Sequence, residues 1–389
     1  MKKHVLIIVA YSPKIYSGLD RNFVSLSHKL VEKGYTPVFV YGETTDAVTQ
    51  IVEDLEREGA IVEHIPDSGK WRQYSKLRNL YSKYKPELVH THFVNYLRIL
   101  SALMSRVRGI RHFTTIHSMI SRYSIDEYIK KKGRIKRWLL GIYFMLLCLW
   151  SKNVFCVSKN IERELHKWAY GGSSNAVTLY LGIDTTPSER TKEEVRKQLH
   201  LPQDKILLVN ISAKEYLKGI DLMLKAMAEL KSRGYDNVMF VHIGGLRADN
   251  DFNRRYEQEL YDLAKKLKVD NDVVWLGKRM DIKDIMPAFD IYVHPSREEG
   301  LPTVLIEASA ASLPLIGTDV GGIPEIVIND ENGLLFEKDD DIQLADKIIM
   351  LLDDENLRQR FAAAAYKIVG RNFEMERQVG KLFDYYDLG

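Results

Sequence analysis

Two carboxylates eight positions apart, Glu299 and Glu307, are the residues best spaced to do chemistry together. An apolar run at residues 291–293 predicts a strand before them, and the proline between them suits the first turn of a helix. We therefore expect Glu299 in a loop and Glu307 on a helix body. The amides and positive dipole at the start of that helix would bind a phosphate or diphosphate. The two carboxylates could hold hydroxyls of a polyhydroxylated ligand, although this spacing is equally typical of ordinary surface charges.

Three further residues lie where predicted strands end or predicted helices begin. Lys218 opens a helix after the predicted strand 206–211, His117 follows the predicted strand 112–116, and Gly18 lies in the loop after the first strand. A lysine at a helix start is most often solvated, and a lone histidine after a strand is most often a core residue. The residues alone therefore favour a structural role for each.

Short apolar runs alternate with helical stretches along the chain, which is typical of parallel sheets with helices on both faces. The predicted strands are residues 4–10, 36–41, 61–65, 88–91, 112–116, 154–157, 177–179, 206–211, 238–243, 273–276, 291–293, 315–317 and 333–336. The predicted helices of the first half are residues 20–33, 47–58, 73–84, 96–106, 134–150 and 160–167. A long helical tail is predicted from residue 342. The fold class is therefore α/β, with two doubly wound domains.

A polar stretch at residues 185–200 separates the two halves of this pattern. We predict an N-terminal domain of residues 1–188 and a C-terminal domain of residues 189–370, with a last helix of about residues 371–389 packing back on the first domain. Because such sheets bind ligands at the carboxyl ends of their strands, we expect the ligand in a cleft between the domains.

Composition and missing motifs exclude several classes of protein. The 389 residues are 45% hydrophobic with a net charge of +3, which is typical of a globular protein and too small a charge to indicate a nucleic-acid binder. Neither a G-x-G-x-x-G after the first strand nor a P-loop motif occurs. His90 and His92 share a strand face but lack further ligands for a metal. Without a cleavable signal or an apolar run longer than 13 residues, we expect a cytoplasmic protein.

The chain resembles the retaining glycosyltransferases of the GT-B fold, in the large family 4. The segment from Glu299 to Glu307 matches that family's motif of two glutamates separated by seven residues, and further matches follow the family's order and spacing over nearly the whole chain. They comprise Ser158, Gly182-Ile183-Asp184, Lys218-Gly219 and residues 314–318, 321–327 and 332–336. The resemblance implies two Rossmann-like domains facing across a cleft, with the acceptor on the first and the donor on the second.

The resemblance also implies a role for each candidate residue. Glu299 would contact the donor sugar, and Glu307 would hold the nucleotide ribose. Lys218 would neutralise the charge that grows on the leaving diphosphate, so that no metal is needed. His117 would face the donor sugar from the first domain, and Gly18 would let the first loop approach the phosphates. The remaining implied donor contacts are Gly300, Leu301, Pro302 and Thr303.

One departure from the family pattern concerns the cation before the Lys-Gly pair. Similar enzymes usually carry an arginine a few positions before Lys218, and here the nearest cation is Lys214. A lysine would supply the same charge without the bidentate fork of an arginine. We predict that Lys214 binds the donor phosphates.

A basic segment precedes the longest apolar run, residues 138–150, and is the candidate acceptor or membrane contact. Basic residues beside aromatic and leucine side chains suit an anionic membrane surface, and many similar enzymes extend lipid-linked saccharides at the inner face of the membrane. The apolar run would instead be mostly core if it forms a buried helix. The basic residues are Lys130, Lys131, Lys132, Arg134, Lys136 and Arg137.

The predicted function is transfer of a hexosyl or N-acetylhexosaminyl group from a nucleoside diphosphate donor, most simply a UDP-sugar, to a hydroxyl of a saccharide or lipid-linked acceptor. The resemblance implies retention of configuration, no cofactor or metal, and a place in cell-surface polysaccharide or glycoconjugate synthesis. Two alternatives stay open: a sugar-nucleotide epimerase of the same fold, and a non-catalytic nucleotide-sugar-binding protein.

Overall fold

The computed structural model describes residues 3–9, 18–43, 49–93, 95–119, 126–246 and 250–388, with only the backbone described for residues 95 and 126–137. The strands are β1 Lys3–Ile8, β2 Tyr35–Gly42, β3 Ile61–Ile65, β4 Leu88–His92, β5 Arg111–Ile116, β6 Asn153–Cys156, β7 Ala176–Thr178, β8 Ile206–Ile211, β9 Val238–Ile243, β10 Val273–Gly277, β11 Ile291–His294, β12 Leu315–Thr318 and β13 Gly333–Phe336. All thirteen predicted strands are confirmed within about two residues at each end.

Helices connect the strands. They are α1 Gly18–Glu32, α2 Thr49–Arg57, α3 Lys70–Tyr84, α4 Asn95–Val107, α5 Asp126–Trp150, α6 Lys159–Trp168, α7 Lys192–Gln198, α8 Ile220–Ser232, α9 Asp251–Lys266, α10 Ile282–Ile285, α11 Thr303–Ala310, α12 Asp341–Asp353, α13 Glu355–Asn372 and α14 Met375–Tyr386. The chain forms two compact units, Met1–Ile183 with Met375–Gly389, and Asp184–Glu374. These are called unit 1 and unit 2 below.

Unit 1 is built on a seven-stranded parallel sheet with the order β3-β2-β1-β4-β5-β6-β7. Its central strands are apolar on both faces because helices cover both, as in β1, where the last four residues are fully buried. One face packs against α1 and α14, and the other packs against α3 and α4. The chain order and parallel pairing confirm the predicted doubly wound sheet.

The last helix of the chain, α14, completes the core of unit 1. Val379, Phe383 and Tyr386 pack with the buried aromatic residues of β2 and β5. The backbone of α14 passes so close to Gly182 that a Cβ there would lie 2.6 Å from the Cα of Met375. The amide of Met375 also donates to the carbonyl of Ile183 at 3.0 Å. Both ends of the chain therefore belong to one folded unit.

Unit 2 contains a six-stranded parallel sheet with the order β10-β9-β8-β11-β12-β13. Its core lies between this sheet and helices that include α8 and α12. The structure adds detail in two places. The polar stretch before β8 contains α7, whose start is fixed by a capping box between Thr191 and Glu194. The helical tail predicted from residue 342 is divided before the last helix, because Asp354 ends α12 and caps the start of α13.

Candidate active site

The loop after β11 presents Glu299 to three polar side chains of unit 2. One oxygen of its carboxylate, Oε1, lies 2.5 Å from Nζ of Lys218, 2.9 Å from Nε2 of His294 and 3.0 Å from Oγ of Ser296. A carboxylate can only accept, so all three groups donate to it. Two predicted residues, Lys218 and Glu299, are thereby brought together, and two residues that were not predicted from the sequence support them.

Electrostatics keep this carboxylate ionised although its side chain is only 11% exposed. Burial alone would raise the pKa of Glu299, but the positive charge of Lys218 and the hydrogen bond from His294 outweigh burial and hold the pKa well below its usual range. Glu299 is therefore an anion at neutral pH, in direct contact with a cation.

The loop that carries Lys218 packs directly against the loop after β11. Gly219 ends the short 3₁₀ turn Tyr216–Lys218 with φ +66°, and a Cβ there would lie 1.9 Å from the carbonyl oxygen of Pro295. Only glycine allows this conformation and this approach together. The close packing fixes the position of Lys218 relative to Glu299.

Arg297, in the loop after β11, forms hydrogen bonds with the loop that carries Lys218. It was not predicted from the sequence. Its guanidinium donates to both carboxylate oxygens of Asp221 at 2.8 Å and to the carbonyl of Tyr216 at 2.7 Å. Its own backbone amide donates to the carbonyl of Leu217 at 2.8 Å. The side chain of Arg297 is almost fully buried, and the ring of Tyr216 covers its guanidinium at 4.0 Å. Arg297 is a positioning residue for Lys218.

Helix α11 begins directly after this loop, as predicted. Its first residue is Thr303, and no side chain caps its start. Leu301 and Pro302 are buried, so they shape the loop through packing, and Pro302 has no N–H to offer a phosphate. Phosphate binding by the amides of Gly300, Leu301 and Thr303 stays a prediction. Glu307 is half-buried on the second turn of α11.

Lys214 lies in a different environment from the one predicted. Its ammonium, 4% exposed, contacts the carboxylate of Glu257 at 2.5 Å and the hydroxyl of Tyr261 at 2.6 Å, and it lies 5.1 Å from the ring of Trp275. The lysine is thus held in an ion pair against α9. Binding of the donor phosphates by Lys214 stays a prediction, and it would require this ion pair to share or break.

In unit 1, His117 follows β5 as predicted and contacts a second histidine. Its Nε2 lies 3.0 Å from Nδ1 of His92, the last residue of β4. Burial, and next the positive charge of Arg98, lower the pKa of His117 well below its usual range, so its ring is neutral at pH 7. The ring of Phe93 stacks on His117 at 4.1 Å. Phe93 has φ +51°, a strained conformation of the kind that clusters at functional sites.

His90 and His92 share one strand face, as expected, with ring centroids 4.1 Å apart. His90 hydrogen-bonds through Nδ1 to the hydroxyl of Tyr386 at 2.6 Å and through Nε2 to Thr115 at 2.8 Å. Both of its nitrogens therefore have protein partners. Within the described residues, no group of three or more His, Cys, Asp or Glu side chains is arranged to hold a metal.

Two further predictions concern Gly18 and the basic segment. Gly18 is the first residue of α1 rather than a loop residue, and its carbonyl accepts a hydrogen bond from the side-chain amide of Asn22 at 2.7 Å. The side chains of the basic segment, Lys130, Lys131, Lys132, Arg134, Lys136 and Arg137, lie outside the described residues, although its backbone belongs to α5.

The apolar run after the basic segment is amphipathic rather than mostly core. Phe144 and Leu147 are buried on one face of α5, whereas Trp138, Leu139 and Leu149 are more than half exposed. In the part of the chain that the structure describes, no helix is both long and apolar enough to span a membrane.

Two family models match the chain, one for each half. Residues 16–187 match the model described as Glycosyltransferase Family 4, and residues 191–368 match the model described as Glycosyl transferases group 1. Together with the two parallel sheets, these matches define the class. The chain belongs to the glycosyltransferases of the family 4 type with the GT-B fold, and the predicted resemblance is confirmed.

Named relatives and solved structures agree with this class. The chain is 26% identical to N-acetyl-alpha-D-glucosaminyl L-malate synthase of Bacillus anthracis, over 81% of this chain and 78% of that protein. It is 26% identical to the capsular polysaccharide biosynthesis glycosyltransferase CapM of Staphylococcus aureus, over 67% of this chain and 70% of that protein. Anabaena Alr3699/HepE in complex with UDP superposes with a TM-score of 0.82 at 18% identity over 100% of both chains, and its complex with UDP-glucose gives 0.80.

Proposed function

We propose that this glycosyltransferase moves a hexosyl or N-acetylhexosaminyl group from a UDP-sugar to a hydroxyl of a saccharide or lipid-linked acceptor, with retention of configuration. The observation that carries the proposal is the contact between Lys218 and Glu299 next to the uncapped start of α11. A cation, an anion and the backbone amides of a helix start that no side chain caps suit the diphosphate and the sugar of such a donor.

The chemistry follows from how charge moves when the glycosidic bond breaks. Negative charge then grows on the leaving diphosphate, and Lys218 would neutralise it without a metal ion. Electrostatic stabilisation has most effect on charge that develops in the transition state. Glu299 would hold a hydroxyl of the transferred sugar, and Glu307 would hold the ribose. Because His117 is neutral, it would exchange hydrogen bonds with the sugar and not add a second charge.

The choice of donor and pathway rests on the relatives. A solved structure with the same fold contains UDP or UDP-glucose, which supports a UDP-sugar here. The name of the Staphylococcus relative supports a role in polysaccharide synthesis. A lipid-linked acceptor would be favoured by peripheral contact of α5 with an anionic membrane, since exposed Trp138 and Leu139 directly follow the basic segment.

The test is donor binding followed by turnover, in buffer with EDTA. We expect UDP and one UDP-sugar to raise the melting temperature of the wild type, and to raise it much less in Lys218→Met and Glu307→Ala. Lys225→Met on α8 is the matched control and should respond like the wild type. An NMR spectrum of the product should show the anomeric configuration of the donor.

Three outcomes would overturn parts of this proposal. Isomerisation of the donor without any acceptor would identify an epimerase. Donor binding with no turnover against a broad acceptor panel would favour a binding protein. Binding that requires a divalent cation would refute the assignment of the leaving-group charge to Lys218.

A further inference from the structure

Arg98 is a buried cation of unit 1 to which the proposed chemistry gives no role. It lies in the first turn of α4 and is 4% exposed. Its one hydrogen bond within the described residues runs from Nη2 to the backbone carbonyl of Thr115, and at 3.4 Å it is long. Its Nε has no acceptor among the described residues. Within the described residues, no carboxylate forms an ion pair with this guanidinium.

The described histidines on which the charge of Arg98 acts cannot neutralise it. Burial, together with the charge of Arg98, lowers the pKa of His112 to about 3, and the pKa values of His90 and His92 are lowered too. These rings are neutral at pH 7 and carry no negative charge. An unpaired buried guanidinium is strongly unfavourable, so such a group normally has a counter-ion.

Arg98 is also placed where ligands of such sheets bind. Thr115, the residue it contacts, is the next-to-last residue of β5 and pairs in register with His92 at the end of β4. His117 follows two residues later. The contact with Thr115 therefore places the guanidinium near the carboxyl edge of the sheet.

We propose that Arg98 binds a phosphate group of the acceptor. A guanidinium offers two parallel N–H donors that match a phosphate, and here Nε donates to nothing in the part of the chain that the structure describes. Assigning the phosphate to the acceptor rests on the proposed function, which places the acceptor on unit 1. The anion site itself does not depend on transfer activity.

The first experiment measures the melting temperature against inorganic phosphate and sulfate, with chloride keeping the ionic strength constant. Phosphate at several times its Kd should raise the melting temperature of unit 1 in the wild type by about 2–4 °C. Arg98→Met should abolish this rise. In phosphate-free buffer the same variant should melt no lower than the wild type, because the unpaired charge has been removed. Arg106→Met, on the exposed face of α4, is the matched control and should keep the rise.

A phosphate response that survives in Arg98→Met would overturn the proposal, and so would a wild type that shows no saturable response. If Arg98→Met fails to fold, calorimetric titration of the wild type and Arg98→Lys with phosphate decides instead. We expect Arg98→Lys to bind at least tenfold more weakly, because it lacks the fork, and equal affinities would contradict the proposal.

Two sources of phosphate must be distinguished, the acceptor and the diphosphate of the donor. Lys218→Met should lose the response to UDP and keep the response to glycerol 3-phosphate, which Arg98→Met should lose. A UDP response that depends on Arg98 and not on Lys218 would overturn the acceptor assignment. These binding measurements need no turnover. Their results therefore remain valid even if the proposed transfer reaction proves wrong.

Discussion

At the scale of single residues, the charge of Glu299 is the property that organises the loop cluster of unit 2. Three donors converge on one of its oxygens, and an amide in its place would present an N–H or a weaker acceptor to them. We expect Glu299→Gln to lower kcat for sugar transfer by about 10²–10³-fold. Steady-state kinetics with the identified donor checks this, and Glu298→Gln in the same loop should lose less than threefold. Equal losses in both variants would contradict the role of Glu299.

The pKa of Glu299 also predicts how the stability of unit 2 depends on pH. Because this pKa is lowered from its ordinary value of 4.5 in the folded state, the carboxylate stabilises the fold above that pH and loses its contribution as the pH falls. Glu299→Gln should therefore unfold more easily than the wild type at pH 7, by about 1–3 kcal/mol. The gap should shrink below about pH 4.5. Urea unfolding from pH 7 to pH 3 measures it, and a gap independent of pH would refute the assignment.

His92 positions the ring of His117 through one hydrogen bond. His92→Phe removes Nδ1 and should lower kcat by about tenfold, with little change in the KM of the donor. A loss of this size is expected when one hydrogen bond is removed. His92→Asn places a polar atom near the position of Nδ1 and should restore most of the activity. The ¹⁵N chemical shifts of His117 report its tautomer directly. If they match in the wild type and in His92→Phe, His92 does not orient this ring.

The sequence identified which residues form the site better than it identified their partners. Lys218 and Glu299 were identified through the family resemblance, and the start of α11 through the proline before it. Arg297 and His294 were missed because their role depends on which atoms face each other across two loops, and no periodicity reports that. The contact of His92 with His117 could have been predicted, because His92 ends β4 and His117 directly follows the neighbouring parallel strand β5. The side-chain direction of Lys214 had none, because it lies in a short irregular loop.

At the scale of elements, the approach of the Lys218 loop to the loop after β11 depends on a single missing Cβ. Gly219→Ala would force an atom to within 1.9 Å of the carbonyl oxygen of Pro295 and should destabilise unit 2 by about 2–4 kcal/mol. Gly234→Ala separates the effect of the positive φ from the effect of the clash. Gly234 also has a positive φ, +87°, but a Cβ added there would meet nothing within 4 Å, so this variant should lose only about 1 kcal/mol. Chemical unfolding of both variants checks this, and equal losses would show that φ alone decides.

The strands could be predicted from the sequence because buried parallel strands are continuous apolar runs bounded by turn residues. The helix α7 was missed because its exposed faces are polar, so hydrophobic periodicity is weak there. The Thr191 and Glu194 capping pair was the available signal. The break between α12 and α13 was likewise marked by Asp354, a residue type that caps helices.

At the scale of the whole molecule, unit 2 is one continuous stretch of chain, whereas unit 1 needs both ends. We expect residues 184–374 produced alone to fold and to bind UDP within about threefold of the full chain, since Lys218, Glu307 and the start of α11 all lie in that stretch and Gly18 is the one predicted phosphate neighbour outside it. Residues 1–183 alone should not unfold cooperatively, because α14 supplies buried core residues. Calorimetry and UDP titration of both fragments test this. A folded 184–374 fragment that fails to bind UDP would show that unit 1 supplies donor contacts.

The place of α14 in unit 1 has a consequence for synthesis on the ribosome. The seven-stranded sheet is complete once β7 has emerged, but α14, which covers part of one face beside α1, is translated only after all of unit 2. At about 5–20 residues per second, the intervening unit takes roughly 10–40 s to make. During that interval Phe113 and Phe155 lack the contacts that Tyr386 and Tyr385 make with them, and they form a surface that a chaperone would bind. Emergence of α14, and not the emergence of the sheet, is therefore the event that closes the first core.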